Sequence, residues 1–329
     1  MIQILLGPDD MARIRFALSP LEELVHSVPV LTGSGQYMAH QPWRARALSS
    51  VAGIDLGVLT ALAQGPRFIA DFLAPPPEAM TGRFTDELDA VASTPAEEVV
   101  CSLDELSAGQ GLPEPLRPLY QHPERELSRL VSTMAMYWRA AIEPVWPRLR
   151  SLSDADVTHR AQQLTTGGLD KVFADLHPEV TYASGELSID KPRHHAVRSA
   201  SGAGLLLVPC VFAWPRLLVL HNAPHQPTLT YSPRGIGQLW SAQGDARPQP
   251  LAELMGRSRA ALLAHLDLPV STTQLASYLG VSSAAVSQHL AVLRRCDLVT
   301  SHRSGRWMLH QRTTLATELL LPGGRPQPR

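Results

Sequence analysis

The chain has few cysteines and almost no lysine. Its 329 residues include three cysteines, Cys101, Cys210 and Cys296. An odd number at such wide spacing excludes a disulfide framework and a zinc motif. Each is expected to act as a small buried hydrophobe in a reducing cytoplasm, with Cys296 packing the end of a helix. Lys171 and Lys191 are the only lysines, so the positive charge is carried by arginine; this reads as genomic base composition rather than chemistry. The most apolar stretch, 203–220, is interrupted by Pro209, Pro215 and Arg216, which argues against a membrane span. At the start, the apolar run 2–6 is too short for a secretory signal, and its charges follow rather than precede it. The expected location is the cytoplasm.

Catalytic signatures are missing as well. The sequence has no G-x-S-x-G elbow, no P-loop, no dinucleotide fingerprint and no H-E-x-x-H. Gly202-Ala203-Gly204 precedes an apolar run instead of joining a strand to a helix, so it reads as a turn leading into a strand. The close histidine pairs, His194-His195 and His221 with His225, lie in loop or proline context. That removes the helical i,i+4 geometry that would aim two rings at one ion. No enzyme activity, cofactor or metal site is expected.

The composition is that of an ordinary soluble protein, 44% hydrophobic and 18% charged, with a net charge of -1. That near-neutrality hides an asymmetry. Residues 1–250 hold 20 Lys+Arg against 26 Asp+Glu, whereas 251–329 hold 9 against 4. A mildly acidic body with a basic end fits a terminal nucleic-acid-binding module.

The expected fold class is α+β: a mainly helical N-terminal region with a small antiparallel sheet, then a C-terminal winged helix-turn-helix. Residues 2–6 predict a short edge strand. Ser19-Pro20-Leu21-Glu22 predicts a helix start, with Ser19 as N-cap, Pro20 in the first helical position and Glu22 as capping-box partner. Leu21, Leu24, Val25 and Val28 form its apolar face. Further helices are expected over 54–64, 84–91, 96–106, 124–142, 154–164 and 169–176, the last two divided by Gly167-Gly168. Pro144 and Pro147 are expected to stop or kink the chain. After His177-Pro178 the pattern changes. Val180, Tyr182, Leu187 and Ile189 frame a hairpin turn at Ser184-Gly185, and 205–212, 217–220 and 228–231 are short strand-like runs. Tyr137, Trp138, Trp146, Phe212, Trp214 and Tyr231 are core residues by base rate, though aromatics of this kind also line effector pockets. The domains are therefore 1–240, a linker at 241–250, a DNA-binding domain at 251–322 and a disordered tail at 323–329.

Ser271 to His310 carries the function. Thr272 or Thr273 is the expected cap of a first helix with Leu275, Ala276 and Leu279 inward, ended by Gly280. Ser282 caps a second helix with Val286, Leu290 and Leu293 inward at i, i+4 and i+7. Its outward face, Ser283, Ala284, Ser287, Gln288 and Ala291, is small and polar enough to enter a major groove. Two alternating strands, 298–301 and 307–310, flank a turn at His302-Arg303-Ser304-Gly305-Arg306. Ahead of them, 251–266 predicts one opening helix with Leu254, Leu262, Leu263 and Leu266 inward.

Residues 275–313 resemble the DNA-binding domain of ArsR-type bacterial transcriptional regulators. The likeness rests on Leu275-Ala276, Leu279-Gly280-Val281-Ser282, Ala285 through Leu290, Leu293-Arg294, Leu298-Val299 and the wing position Arg306. It covers about the last quarter of the chain. A long leader before such a domain resembles actinobacterial regulators whose N-terminal domain has no assigned function. Metal-sensing members carry a cysteine-rich motif on the helix before the recognition helix. Here that helix reads Gln274-Leu275-Ala276-Ser277-Tyr278-Leu279, so metal sensing does not transfer.

The resemblance implies a cytoplasmic homodimeric repressor on double-stranded DNA. The N-terminal domain would dimerise or sense a small-molecule effector. Thr272, Thr273 and Ser282 are expected phosphate contacts. Ser283, Ala284, Ser287 and Gln288 are base readers, with His289 at their edge; Arg294, Arg303 and Arg306 act on phosphates or a minor groove. The alternative is a non-catalytic interaction protein whose winged helix binds a protein partner.

Overall fold

The computed structural model describes all residues except 34–36, 64–68, 108–110, 193, 223–224, 241–249, 267–268, 280, 305–306 and 321–329. The expected linker, apart from Pro250, and the expected tail lie outside the described residues. Two compact units emerge. The first comprises 1–33, 43–174 and 179–233; the second comprises 34–42, 175–178 and 234–329.

The first unit is built around the helix Pro20–Thr32, which is buried on every side except at Thr32. Leu21, Leu24, Val25 and Val28 are fully buried, as their spacing predicts. The opposite face is polar yet equally buried, so each polar group needs a partner. Ser19 Oγ accepts the Glu22 N–H at 3.0 Å and donates to Glu87 Oε2 at 2.8 Å. Glu22 does not close a capping box. Its carboxylate meets His26 Nε2 at 2.6 Å and accepts from Thr230 Oγ1 at 3.2 Å. Glu23 accepts from the Val211 and Phe212 N–H groups at 2.7 and 3.1 Å and from Cys210 Sγ at 3.3 Å.

Around this helix stand the helices Phe84–Ala92, Ala96–Ser107 and Pro123–Tyr137, close to their expected bounds. The helix expected over 54–64 is shorter, Gly57–Ala63. A π-turn at Trp138–Ile142 extends Pro123–Tyr137, and the Ala141 carbonyl within it accepts the Trp43 indole N–H at 2.9 Å. The helix Trp146–Ala174 opens eight residues before its expected start. Pro147 sits in its first turn, where a missing N–H costs nothing, so it starts the helix rather than stopping it. Gly168, at φ 65° and ψ -164°, breaks the run where expected.

The strands form two four-stranded mixed sheets, not one antiparallel sheet. In the first, β3 (Val180–Ala183), β4 (Glu186–Ile189), β1 (Ile2–Leu5) and β5 (Ala196–Ser199) lie in that order. β1 runs antiparallel to β4 and parallel to β5, so it is an interior strand, correcting the edge expected of it. In the second sheet the order is β2 (Arg15–Phe16), β6 (Leu206–Pro209), β8 (Thr228–Tyr231) and β7 (Leu218–Leu220). β6 pairs in parallel with both β2 and β8. β6 and β8 are buried along their whole length, as interior parallel strands are. The aromatics Tyr137, Trp138, Phe212, Trp214 and Tyr231 are all core residues.

Cysteine burial was expected at three sites and is found at one. Cys210 is buried, but Cys101 and Cys296 are exposed. Cys101 lies on the outer face of Ala96–Ser107, whose inner face carries Val99 and Leu103.

The second unit contains the C-terminal elements. The expected single helix over 251–266 is two, Pro250–Met255 and Arg257–Ala264, broken at Gly256 with φ 86°. The break resets the apolar stripe. Leu262, Leu263 and Leu266 are fully buried, while Leu254 is 81% exposed. The short helix Ile236–Leu239 precedes them, and Thr314–Leu320 follows the wing. Two earlier stretches complete this unit. From one, His40 accepts the Trp240 indole N–H at 3.3 Å. From the other comes His177, on Gln274.

Candidate nucleic-acid interface

The helix Thr272–Leu279 opens with Ser271-Thr272-Thr273-Gln274. Ser271 Oγ accepts the Gln274 N–H at 3.2 Å, and Gln274 Oε1 accepts the Ser271 N–H at 3.0 Å. This reciprocal pair is a capping box, which makes Ser271 the cap in place of Thr272 or Thr273. The S-x-x-Q spacing was visible in the sequence one residue earlier than expected. Leu275 and Ala276 are buried and Leu279 is half-buried. The Val281 N–H closes the helix end on the Ala276 carbonyl at 3.0 Å. Gly280, the expected terminator, lies outside the described residues.

Ser282 caps the next helix, Ser283–Arg295, accepting the Ala285 N–H at 3.2 Å. Val286, Leu290 and Leu293 are buried, so the helix is fixed from one side. The opposite face is exposed at Ser283, Ala284, Ser287, Gln288 and Ala291. Residues at i, i+1, i+4, i+5 and i+8 share a face, so five small or polar side chains form one outward row. His289 is half-buried beside it. Arg294 is exposed in the last turn, roughly 16 Å along the axis from Ser283. There it also complements the helix dipole.

The helix ends in a Schellman motif. The Leu298 N–H reaches the Leu293 carbonyl at 3.0 Å and the Asp297 N–H reaches Arg294 at 3.0 Å, with Asp297 left-handed at φ 55°. Cys296, expected to pack this end, is its exposed C-cap.

The wing is β10 (Val299–Ser304) and β11 (Trp307–Arg312), antiparallel, with the short β9 (Val270–Ser271) on the outer side of β11. Both long strands outrun their expected bounds. His302, Arg303 and Ser304 are therefore strand residues paired with Leu309, Met308 and Trp307, not part of the turn. Arg303 is exposed near the far end of β10. Gly305 and Arg306 lie outside the described residues.

His310 was not singled out from the sequence, and it ties the parts together. It is 4% exposed. Its Nε2 lies 3.0 Å from Thr272 Oγ1 and its Nδ1 lies 2.7 Å from Ser301 Oγ. Burial, with Arg294 and His302 nearby, holds its imidazole below the usual value. The Thr272 hydroxyl is thus engaged with His310, and Thr273 is half-buried.

Residues 262–301 match the family described as bacterial regulatory protein, arsR family. The C-terminal unit carries an ArsR-type helix-turn-helix. The match starts within Arg257–Ala264 and stops in β10, so it covers both helices of the ArsR-type motif and only the start of the wing. Residues 116–237 match a family of unknown function (DUF5937). That segment runs from Leu116 through the long helix and strands β3 to β8, leaving out β1 and β2. No curated protein and no solved structure matches the chain. The ArsR-type motif marks the protein as a DNA-binding transcriptional regulator.

Among the described residues, no group of three or more His, Cys, Asp or Glu side chains is arranged to hold a metal ion. No described helix is long and apolar enough to cross a membrane.

Proposed function

We propose that the protein is a repressor that binds a palindromic operator as a homodimer, and that its N-terminal unit senses a non-metal effector. The observation that carries the DNA-reading part is the outward row Ser283, Ala284, Ser287, Gln288 and Ala291 on a helix capped by Ser282. A face of small side chains lets the helix backbone approach base edges. Gln288 has the amide geometry to pair with adenine N6 and N7, and Ala284 suits a thymine methyl. Phosphate contacts fall to Thr273, Ser282, Arg294, Arg303 and Arg306, and to Thr272 only through its backbone N–H, since its hydroxyl faces His310.

Dimerisation follows from the size of this face. One helix reads only a few base pairs, so two-fold pairing on a palindrome supplies the remaining specificity. The sensing role rests on size and chemistry: the DUF5937-matching segment is far larger than a dimerisation element needs to be. The helix preceding the recognition helix has no thiol, which argues for an effector other than a thiophilic metal.

Selection from a random duplex pool with the full chain tests this reading. Enrichment of an inverted repeat whose half-sites lie one helical turn apart is expected. Recovery of unrelated sequences without symmetry would contradict it.

A further inference from the structure

The DNA-binding unit takes in a segment from the middle of the chain. The long helix ends at Ala174, and residues 175–178 belong to the second unit. In that segment His177 is 8% exposed. Its Nε2 lies 3.1 Å from Gln274 Nε2. An amide nitrogen has no free lone pair, so Gln274 donates and His177 accepts. The other end of the same amide accepts the Ser271 N–H at 3.0 Å. Turning the amide over would set its nitrogen against the Ser271 donor and its oxygen against the His177 lone pair. The Ser271 N–H requires this orientation, and the His177 lone pair reinforces it.

We propose that His177 is a positioning residue for DNA recognition, which holds the Gln274 side chain in the cap of Thr272–Leu279. The cap in turn holds the helix that packs on Ser283–Arg295, with Leu275 and Ala276 buried on one and Val286 and Leu290 on the other. This inference rests on the DNA-binding reading above.

The test uses the full chain with three substitutions. His177→Phe keeps the ring volume and removes the acceptor, whereas His177→Asn retains an acceptor oxygen. Gln274→Glu preserves the acceptor for Ser271 and removes the donor to His177. Binding to a selected duplex and to a scrambled one is measured by fluorescence anisotropy, and backbone exchange over 271–276 is followed without DNA. His177→Phe and Gln274→Glu are expected to weaken specific binding about five-fold, the size of one net hydrogen bond. His177→Phe should speed exchange at 271–276 and, because it alters no charge, leave binding to the scrambled duplex unchanged, whereas Gln274→Glu adds a negative charge beside the proposed phosphate contacts and should weaken binding to both duplexes. His177→Asn should stay near wild type.

Wild-type affinity and exchange in His177→Phe would overturn the proposal. So would equal losses in the Phe and Asn variants, which would indicate packing alone. A wild-type chain that does not distinguish the two duplexes would contradict the DNA-binding reading instead, while the exchange data would still decide whether His177 controls the cap.

Discussion

Thr272 Oγ1 and Ser301 Oγ share one imidazole, the first lying 3.0 Å from His310 Nε2 and the second 2.7 Å from Nδ1. A neutral ring has one donor and one acceptor nitrogen, and hydroxyls serve either role, so all three groups are satisfied without charge. The bridge fixes the wing against the first helix of the motif. His310→Leu removes both bonds and leaves two hydroxyls short of a partner, at a cost of about 1–3 kcal/mol. Chemical denaturation should show that loss, and DNA affinity should fall with it. Unchanged stability would mean the bridge contributes nothing.

The two units should answer pH with opposite signs. Burial raises the Glu23 carboxyl to about 7 despite three donors that favour its ionised form, and Glu87 is raised to about 7 in the same way. Between about 4.5 and 7 the folded first unit holds more protons than the unfolded chain, so its stability falls as pH rises. Burial lowers His40 and His265 to about 3. Between about 3 and 6.5 the unfolded chain holds more protons than the folded second unit, so that unit gains stability as pH rises. Peptide-resolved hydrogen exchange at pH 5 and 6.5, corrected for intrinsic rates, separates the two. Protection should decline in the first unit and grow in the second; shifts of the same sign in both would refute the assignment. Glu23→Gln should flatten the response of the first unit.

Asp297 occupies a left-handed position that glycine adopts without steric cost. It also places a negative charge at a helix C-terminus, where the dipole disfavours it. Asp297→Gly is expected to stabilise the second unit by about 1 kcal/mol, read as a higher melting temperature. A lower one would mean that the Asp297 side chain contributes more than its backbone strain costs.

Base reading and phosphate binding separate on this surface. Gln288→Ala should relax preference at one base pair and cost about 1–3 kcal/mol on the specific duplex, with little effect on random DNA. Arg303→Ala should weaken both duplexes alike and lower the slope of log affinity against log salt by about one. Equal effects of the two changes on both duplexes would remove this division of labour.

Local chemistry was legible in the sequence, and long-range pairing was not. Ser282 as a cap, Ser19-Pro20 as a helix start, the break at Gly168 and the Ser184-Gly185 turn depend on a few neighbouring residues, and the structure shows all four. The parallel pairing of β1 with β5 joins residues nearly two hundred positions apart, and no local pattern encodes it. Leu254 was misplaced because the left-handed Gly256 breaks a stripe that reads as continuous. The exposure of the outward row on Ser283–Arg295 was readable. Its supports were not, because His310 and His177 act through partners distant in sequence.

The central claim is sequence-specific DNA binding by the C-terminal unit. Fluorescence anisotropy of the full chain against the duplex upstream of its own coding sequence and against a scrambled duplex, across a salt series, tests it most directly. The account predicts preference for the native duplex and a steep loss of affinity for both as salt rises. Absence of binding to either duplex at low salt would contradict it and turn the recognition face toward a protein partner.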